Sequence, residues 1–415
     1  MIAILTFYNK FFLKSMNDIL KITLTFLIIL LMLRKKLSIG YALLSASVVL
    51  YAVYLMPPKS ILKSMQGALT NPVTLQLLIS LSFIRMLEMI LREHDILKRM
   101  MDFIKGTLRN KAAVAISMPL LIGIMPSLGG AYFSAPMVDE VTKGLDLSSE
   151  IKAYINYWYR HPWEFFLPLY PGIVLASMIS GIPMRSFILM NLSSVIVMSI
   201  SGIFFGIRQI KGRFERSTSV NRDEVLSFIP ILGLLLLVIG FNVPLHYALI
   251  GVVIFLMFFY RTNLGYIRKI FFHGFSLDII ILIVGVMLFK ETLEVSGAVK
   301  NLSIFFASNH VPVMIILFLL PFISGFLTGI TAGFVASSFP LLLSIHGVDA
   351  FGLSFAFVCG YIGVLLSPAH ICLIMTKDYF KADMYGIYKK TIPGVIFIFI
   401  AALIQYLILR HTIIF

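Results

Sequence analysis

Long apolar runs recur along the chain, separated by short polar stretches rich in Lys and Arg. The runs are continuous, which predicts helices; a membrane barrel would alternate apolar and polar residues. Several reach the roughly 17–25 residues that a helix needs to cross hydrocarbon. The pattern predicts spans over 17–33, 38–56, 71–91, 150–180 and 185–207, then over 225–242, 244–260, 275–292, 349–376 and 391–410. Between the third and fourth run of each set lies a further apolar stretch, 112–141 and 311–345. Small residues interrupt the middle of each: Pro126-Ser127-Leu128-Gly129-Gly130 and Thr328-Gly329-Ile330-Thr331-Ala332-Gly333. At about 1.5 Å per residue each stretch supplies two half-depth arms, and a re-entrant hairpin fits better than one kinked span. The basic stretches 92–111 and 295–309 carry apolar residues at helical spacing and predict helices lying in the interface.

The two sets of elements follow the same order, so the chain reads as an internal repeat. At an offset of 202, Lys98 meets Lys300, Pro119 meets Pro321 and Gly123 meets Gly325. After a two-residue insertion Pro136 meets Pro340, and after two more Pro162 meets Pro368. Five spans per half is an odd number, so the second half enters the membrane upside down. The expected fold is therefore an all-α polytopic membrane protein. It is an inverted repeat of two five-span halves, each with a re-entrant hairpin and a broken span. The first repeat covers 1–210, a cytoplasmic linker 211–223, and the second repeat 224–415. Repeats of this kind build a shared site near the bilayer midplane in transporters.

Composition agrees. Hydrophobic residues make up 59% and charged residues 13%, about half the charge of a soluble domain, and the mean hydropathy is +0.97. The first twenty residues hold Lys10, Lys14 and Asp18 and no Ala-x-Ala site, so no secretory cleavage pattern is expected there. The net charge of +15 does not imply nucleic acid, because Lys and Arg sit in short loops, where they set topology. With the N-terminus outside, 23 of the 34 Lys and Arg fall in inner loops and 9 outside. Both termini are then expected outside a cell (plasma) membrane, with the first hairpin opening from the cytoplasm and the second from outside. Expected partners are the lipid bilayer and a small-molecule or ion substrate, with a homodimer as a candidate assembly and no nucleic acid. Cys359 and Cys372 lack metal-type spacing or a set of His partners in sequence and read as buried free thiols.

Candidate chemistry concentrates at four breaks, because freed backbone polar groups are tolerated at membrane depth only in protein or beside a water-filled cavity. Two are the hairpin tips, with Ser127, Gly129, Gly130, Tyr132 and Ser134 in the first and Thr331, Gly333 and Ser337 in the second. Such tips can offer helix N-termini to an anion or carbonyls to a cation; the other reading is tight packing through small residues. The third break is Arg160-His161-Pro162-Trp163-Glu164, followed by Pro168-Leu169-Tyr170-Pro171-Gly172. Arg160 would take an anionic group, Glu164 or His161 would couple a proton or cation, and Tyr170 would line the site. Alternatively Arg160 and Glu164, at i, i+4, form a self-neutralising pair. The fourth break is Ser367-Pro368-Ala369-His370, with His370 opposite Glu164 in the repeat. Arg85 and Glu88 read as a snorkelling pair. No catalytic, metal or nucleotide motif appears. No cofactor is expected beyond a coupling ion, H+ or Na+.

The segments PSLGGAYFSAPMV and NYWYRHPWEFFLPLYPG resemble the signature of the domain of unknown function 401 family of prokaryotic integral membrane proteins. The resemblance covers nearly the whole chain. It implies membership of the ion transporter superfamily, alongside gluconate, citrate and dicarboxylate permeases and arsenite carriers, with a site between hairpin tips and broken spans. The Ser-Asn-Thr hairpin motif of the dicarboxylate carriers is absent; the tips read Ser-Leu-Gly-Gly-Ala and Thr-Gly-Ile-Thr-Ala. The leading expectation is a secondary active transporter (permease) of a small anionic solute, and not an enzyme. The rival is a membrane-embedded enzyme or lipid-handling protein acting on a lipid phosphate.

Overall fold

Apolar runs fold into helices wherever their backbone groups have no other partner, and the computed structural model is helical throughout. It describes residues 2–35, 37–126, 130–208, 210–213 and 221–410, and among these there is no strand, only one isolated bridge between Asn110 and Arg213. The first half holds α1 (Ile2–Arg34), α2 (Ile39–Val53), α3 (Pro58–Thr70), α4 (Pro72–Glu93) and α5 (Ile96–Thr107). It continues with α6 (Lys111–Gly123), α7 (Gly130–Val141), α8 (Ser149–Trp158), α9 (Pro171–Ser180) and α10 (Met184–Gly202). After a short helix α11 (Arg222–Leu226), the second half holds α12 (Ile229–Leu235), α13 (Leu245–Phe259), α14 (Leu264–Gly274), α15 (Leu277–Val295) and α16 (Ala298–Ser308). Then follow α17 (Val313–Thr328), α18 (Thr331–Leu342), α19 (Ala350–Leu366), α20 (Ile371–Phe380) and α21 (Met384–Leu409).

Among the described residues, six helical segments are long and apolar enough to cross a membrane: Pro72–Glu93, Met184–Ile207, Arg222–Gly240, Leu264–Val295, Ala350–Phe380 and Met384–Leu409. Large apolar side chains stay exposed on their faces and on those of shorter apolar helices, among them Phe258, Leu277, Phe397 and Ile404. Such faces need lipid around them. The chain is a multi-pass membrane protein.

The elements follow the sequence pattern closely, with three differences. α3 and α14 fill stretches left without structure, and α1 begins well before residue 17. α3 exposes Lys59 and Lys63 beside Leu62, Met65 and Leu69 and seats Ser64 and Ala68 inward, and this mixture is why hydropathy alone passes over it. Both hairpin stretches break where expected, α6 from α7 and α17 from α18. α17 ends at Gly329, whose φ of +64° is left-handed and suits glycine.

Packing runs between the halves in exchanged pairs. α4 packs on α13 and α2 on α15; α14 packs on α4 and α3 on α15; α5 packs on α11 and α1 on α16. α9 packs on α18 and α20 on α7. Small residues set the closest approaches: a Cβ on Gly325 would lie 2.1 Å from the Gly360 carbonyl oxygen, and one on Gly40 would lie 2.5 Å from that of Ile281. The intramembrane charges pair differently from the sequence expectation. Arg85 donates to Ser276 Oγ at 2.6 Å, while Glu88 pairs with Arg92 at 2.8 Å. One helical turn separates Glu88 from Arg92, a better reach for the long Arg side chain.

Candidate functional site

Two prolines shape the centre of the molecule. Pro162 has no N–H to bond back to Trp158, which favours a break; α8 stops at Trp158 and the chain turns through a 3-10 segment, Pro162–Phe165, before α9. Pro368 acts alike between α19 and α20. The two breaks face each other and exchange hydrogen bonds: the Tyr157 hydroxyl donates to the Leu365 carbonyl (2.9 Å) and the Tyr361 hydroxyl to the His161 carbonyl (2.8 Å). Both bonds connect residues that stand 204 positions from their counterparts, the offset that also matches Pro136 to Pro340. Each hydroxyl thus satisfies a carbonyl that the other break frees.

The histidines of the two breaks meet directly, with His161 Nε2 2.9 Å from His370 Nε2 and both residues buried. His161 Nδ1 donates to the Tyr157 carbonyl (2.5 Å) and His370 Nδ1 to the Gly329 carbonyl (2.7 Å). One ring nitrogen from each and the Cys372 Sγ lie within 4.8 Å of one another. In sequence Cys372 stands apart from His161; in space it is beside both histidines, which corrects the reading of it as a thiol without His partners. Both cysteines are buried and free, as expected.

Glu164 accepts a hydrogen bond from the Thr331 hydroxyl and lies 3.9 Å from His161 Nε2. Thr331 opens α18, so this carboxylate sits at a helix N-terminus, where the dipole favours negative charge. Arg160 lies across the N-terminus of α7: a Cβ on Gly130 would be 2.3 Å from its Nη1, and its Nη1 also donates to the Ile122 carbonyl at 3.3 Å. The break is not α-helical here, so Arg160 and Glu164 do not stand one α-helical turn apart. A cavity of about 240 Å³ lies between these groups, lined by Arg160, Glu164, Tyr170, Thr331, His370 and Cys372.

Residues 18–409 match the family described as Protein of unknown function (DUF401). The chain belongs to that family. No curated protein is similar enough to count as a relative. In this DUF401 member Arg160, His161, Glu164, Tyr170, Thr331 and His370 come together at the centre, and Gly130 closes against Arg160. The Tyr170 hydroxyl also donates to the Gly123 carbonyl, the last residue of α6. Other candidates stand apart. Ser134 is buried against Asn156 (2.6 Å), Ser337 pairs with Ser324 (2.7 Å), and Gly333 packs near Thr328. Ser367 accepts from the Ala369 amide (3.2 Å), and Tyr132 is exposed beside Tyr379. Ser127 and Gly129 fall outside the described residues.

Sequence reasoning passed over Cys372, Asn156 and Thr376. Asn156 Nδ2 donates to the Ala131 carbonyl (2.9 Å) and to Thr376 Oγ1 (3.0 Å), tying α7, α8 and α20 together. Its signal was a buried amide in an otherwise apolar and aromatic helix segment, which in lipid is rare without a partner.

Proposed function

We propose that this protein is a secondary active transporter that moves a small anionic solute by alternating access, coupled to H+ or Na+. The observation that carries this reading is the central cavity, bordered by both broken helices and the N-terminus of α18, with the Arg160 guanidinium at its wall. Arg160 and the N-terminus of α7 are both positive, so an anion between them gains from each. About 240 Å³ is roughly eight water volumes, which favours an inorganic oxyanion or a carboxylate of a few carbons over a lipid headgroup with its chains.

Alternating access needs two halves that can trade places. The exchanged packing of α4 on α13 and α2 on α15, and the paired bonds of Tyr157 and Tyr361, support an inverted repeat. In this reading α6–α7 and α17–α18 are re-entrant hairpins entering from opposite faces, the protein lies in the plasma membrane, and both termini are outside. The same architecture supports kinship with the ion transporter superfamily. Glu164, held by Thr331 and beside His161, is the coupling residue.

The test is a thermal-shift screen of purified protein against small anions, since a ligand that binds only the folded state raises the melting temperature. At least one oxyanion or short carboxylate is expected to stabilise the wild type and to lose that effect in Arg160→Gln. Stabilisation that survives Arg160→Gln would move the anion site elsewhere.

A further inference from the structure

We propose that His161, His370 and Cys372 form a binding site for a late first-row divalent cation of the zinc class, set in the wall of the central cavity. Tautomer chemistry carries the inference. A carbonyl oxygen only accepts, so His161 Nδ1 and His370 Nδ1 both carry their protons toward Tyr157 and Gly329. A neutral imidazole then has a bare lone pair at Nε2. Two such lone pairs face each other at 2.9 Å, deep in protein, with the Cys372 sulfur within 4.8 Å. Two acceptors at that distance repel unless a cation lies between them.

The surroundings are those of a metal site. Histidine ligands almost always donate their second ring N–H to a carbonyl or carboxylate, which fixes the tautomer and aims the free nitrogen. Both histidines do so here with backbone carbonyls from different elements. Two imidazoles and a thiolate suit zinc and its neighbours, and disfavour Mg2+ and Ca2+, which take oxygen ligands. Two nitrogens on one tetrahedral zinc stand about 3.3 Å apart given Zn–N bonds of about 2.0–2.1 Å, so the rings need separate by only a few tenths of an ångström. Glu164 Oε1, 3.9 Å from His161 Nε2, stands ready as a fourth ligand. If it stays with Thr331, the fourth position opens into the cavity, as in sites where zinc keeps a place for water or substrate. The cation would then add positive charge beside Arg160, in the wall of the same cavity, and hold an anionic solute. The site itself is independent of transport, and its test reads metal alone.

Purified, reduced, chelator-treated protein without an affinity tag is titrated with Co2+ and then Zn2+. One equivalent of Co2+ is expected to bind, to give a thiolate-to-cobalt charge-transfer band, and to be displaced by Zn2+. The chain has only two cysteines, so Cys372→Ser must abolish the band while Cys359→Ser keeps it. His370→Ala should weaken Co2+ at least about a hundredfold, the upper end of what loss of a mere orienting partner costs. X-ray absorption at the zinc edge of the wild type, which needs no variant to fold, should show one sulfur among nitrogen and oxygen neighbours. Substoichiometric binding, a band that survives Cys372→Ser, or a shell without sulfur would overturn the proposal, leaving the histidines to share a proton.

Discussion

At the residue scale, glycine separates positions where backbones touch from positions where nothing is near. Gly325 abuts the Gly360 carbonyl oxygen, and a Cβ there would sit at 2.1 Å, a contact that backbone cannot relieve. Gly233 on α12 has nothing within 4 Å. Gly325→Ala should therefore lower stability by about 1–3 kcal/mol through overpacking. Gly233→Ala should leave it unchanged or raise it by up to about 1 kcal/mol, since alanine orders a helix at less entropic cost. Thermal unfolding in detergent checks both, and equal effects would mean that α17 and α19 do not meet as described. The charged residues of the third break were legible because Arg, His and Glu inside an apolar run stand out. Their partners were not. Thr331, Tyr361 and His370 lie 167, 200 and 209 positions away from the residues of the third break that they bond, and no local pattern encodes such a distance. Cys372 was missed for the same reason: its chemistry comes from neighbours that only the tertiary fold supplies.

At the scale of elements, most of the architecture could be read from runs of apolar residues and the prolines and glycines that end them. Pro162 and Pro368 announced the two breaks, and Gly329 the end of α17, because each forbids or relaxes a specific backbone geometry. α3 and α14 escaped because Lys59 and Lys63 in one and Arg268 and Lys269 in the other interrupt their apolar positions. The Arg160–Glu164 spacing was read on a continuous α-helix, which the chain does not form between Trp158 and Pro171. Within the apolar packing of the broken elements, Asn156 links α7, α8 and α20 through hydrogen bonds. Thr376→Val removes one of the two acceptors of the Asn156 amide and leaves one of its N–H groups without that partner. The cost should be about 1–3 kcal/mol, seen as a lower melting temperature, and Asn156→Leu combined with Thr376→Val should cost less than the sum of the single changes. Strict additivity would show that the two side chains do not interact.

At the scale of the whole molecule, the proposed inverted repeat has an odd number of spans per half and so predicts opposite insertion of the two halves. Lys59 and Arg222 should then lie on opposite faces of the membrane. Both native cysteines are buried, so Lys59→Cys and Arg222→Cys can be probed singly with an impermeant maleimide on intact cells; Lys59→Cys should label and Arg222→Cys should not. Labelling of both would refute the five-span inverted arrangement. Transport itself is tested most directly by solute flux through purified protein in liposomes under an imposed proton gradient. The wild type is expected to accumulate a small anion saturably. Glu164→Gln, which keeps an acceptor for Thr331 but loses the charge, should still exchange solute across the membrane without accumulating it. Flux that never saturates, or accumulation by Glu164→Gln equal to the wild type, would contradict a proton-coupled carrier working through this site.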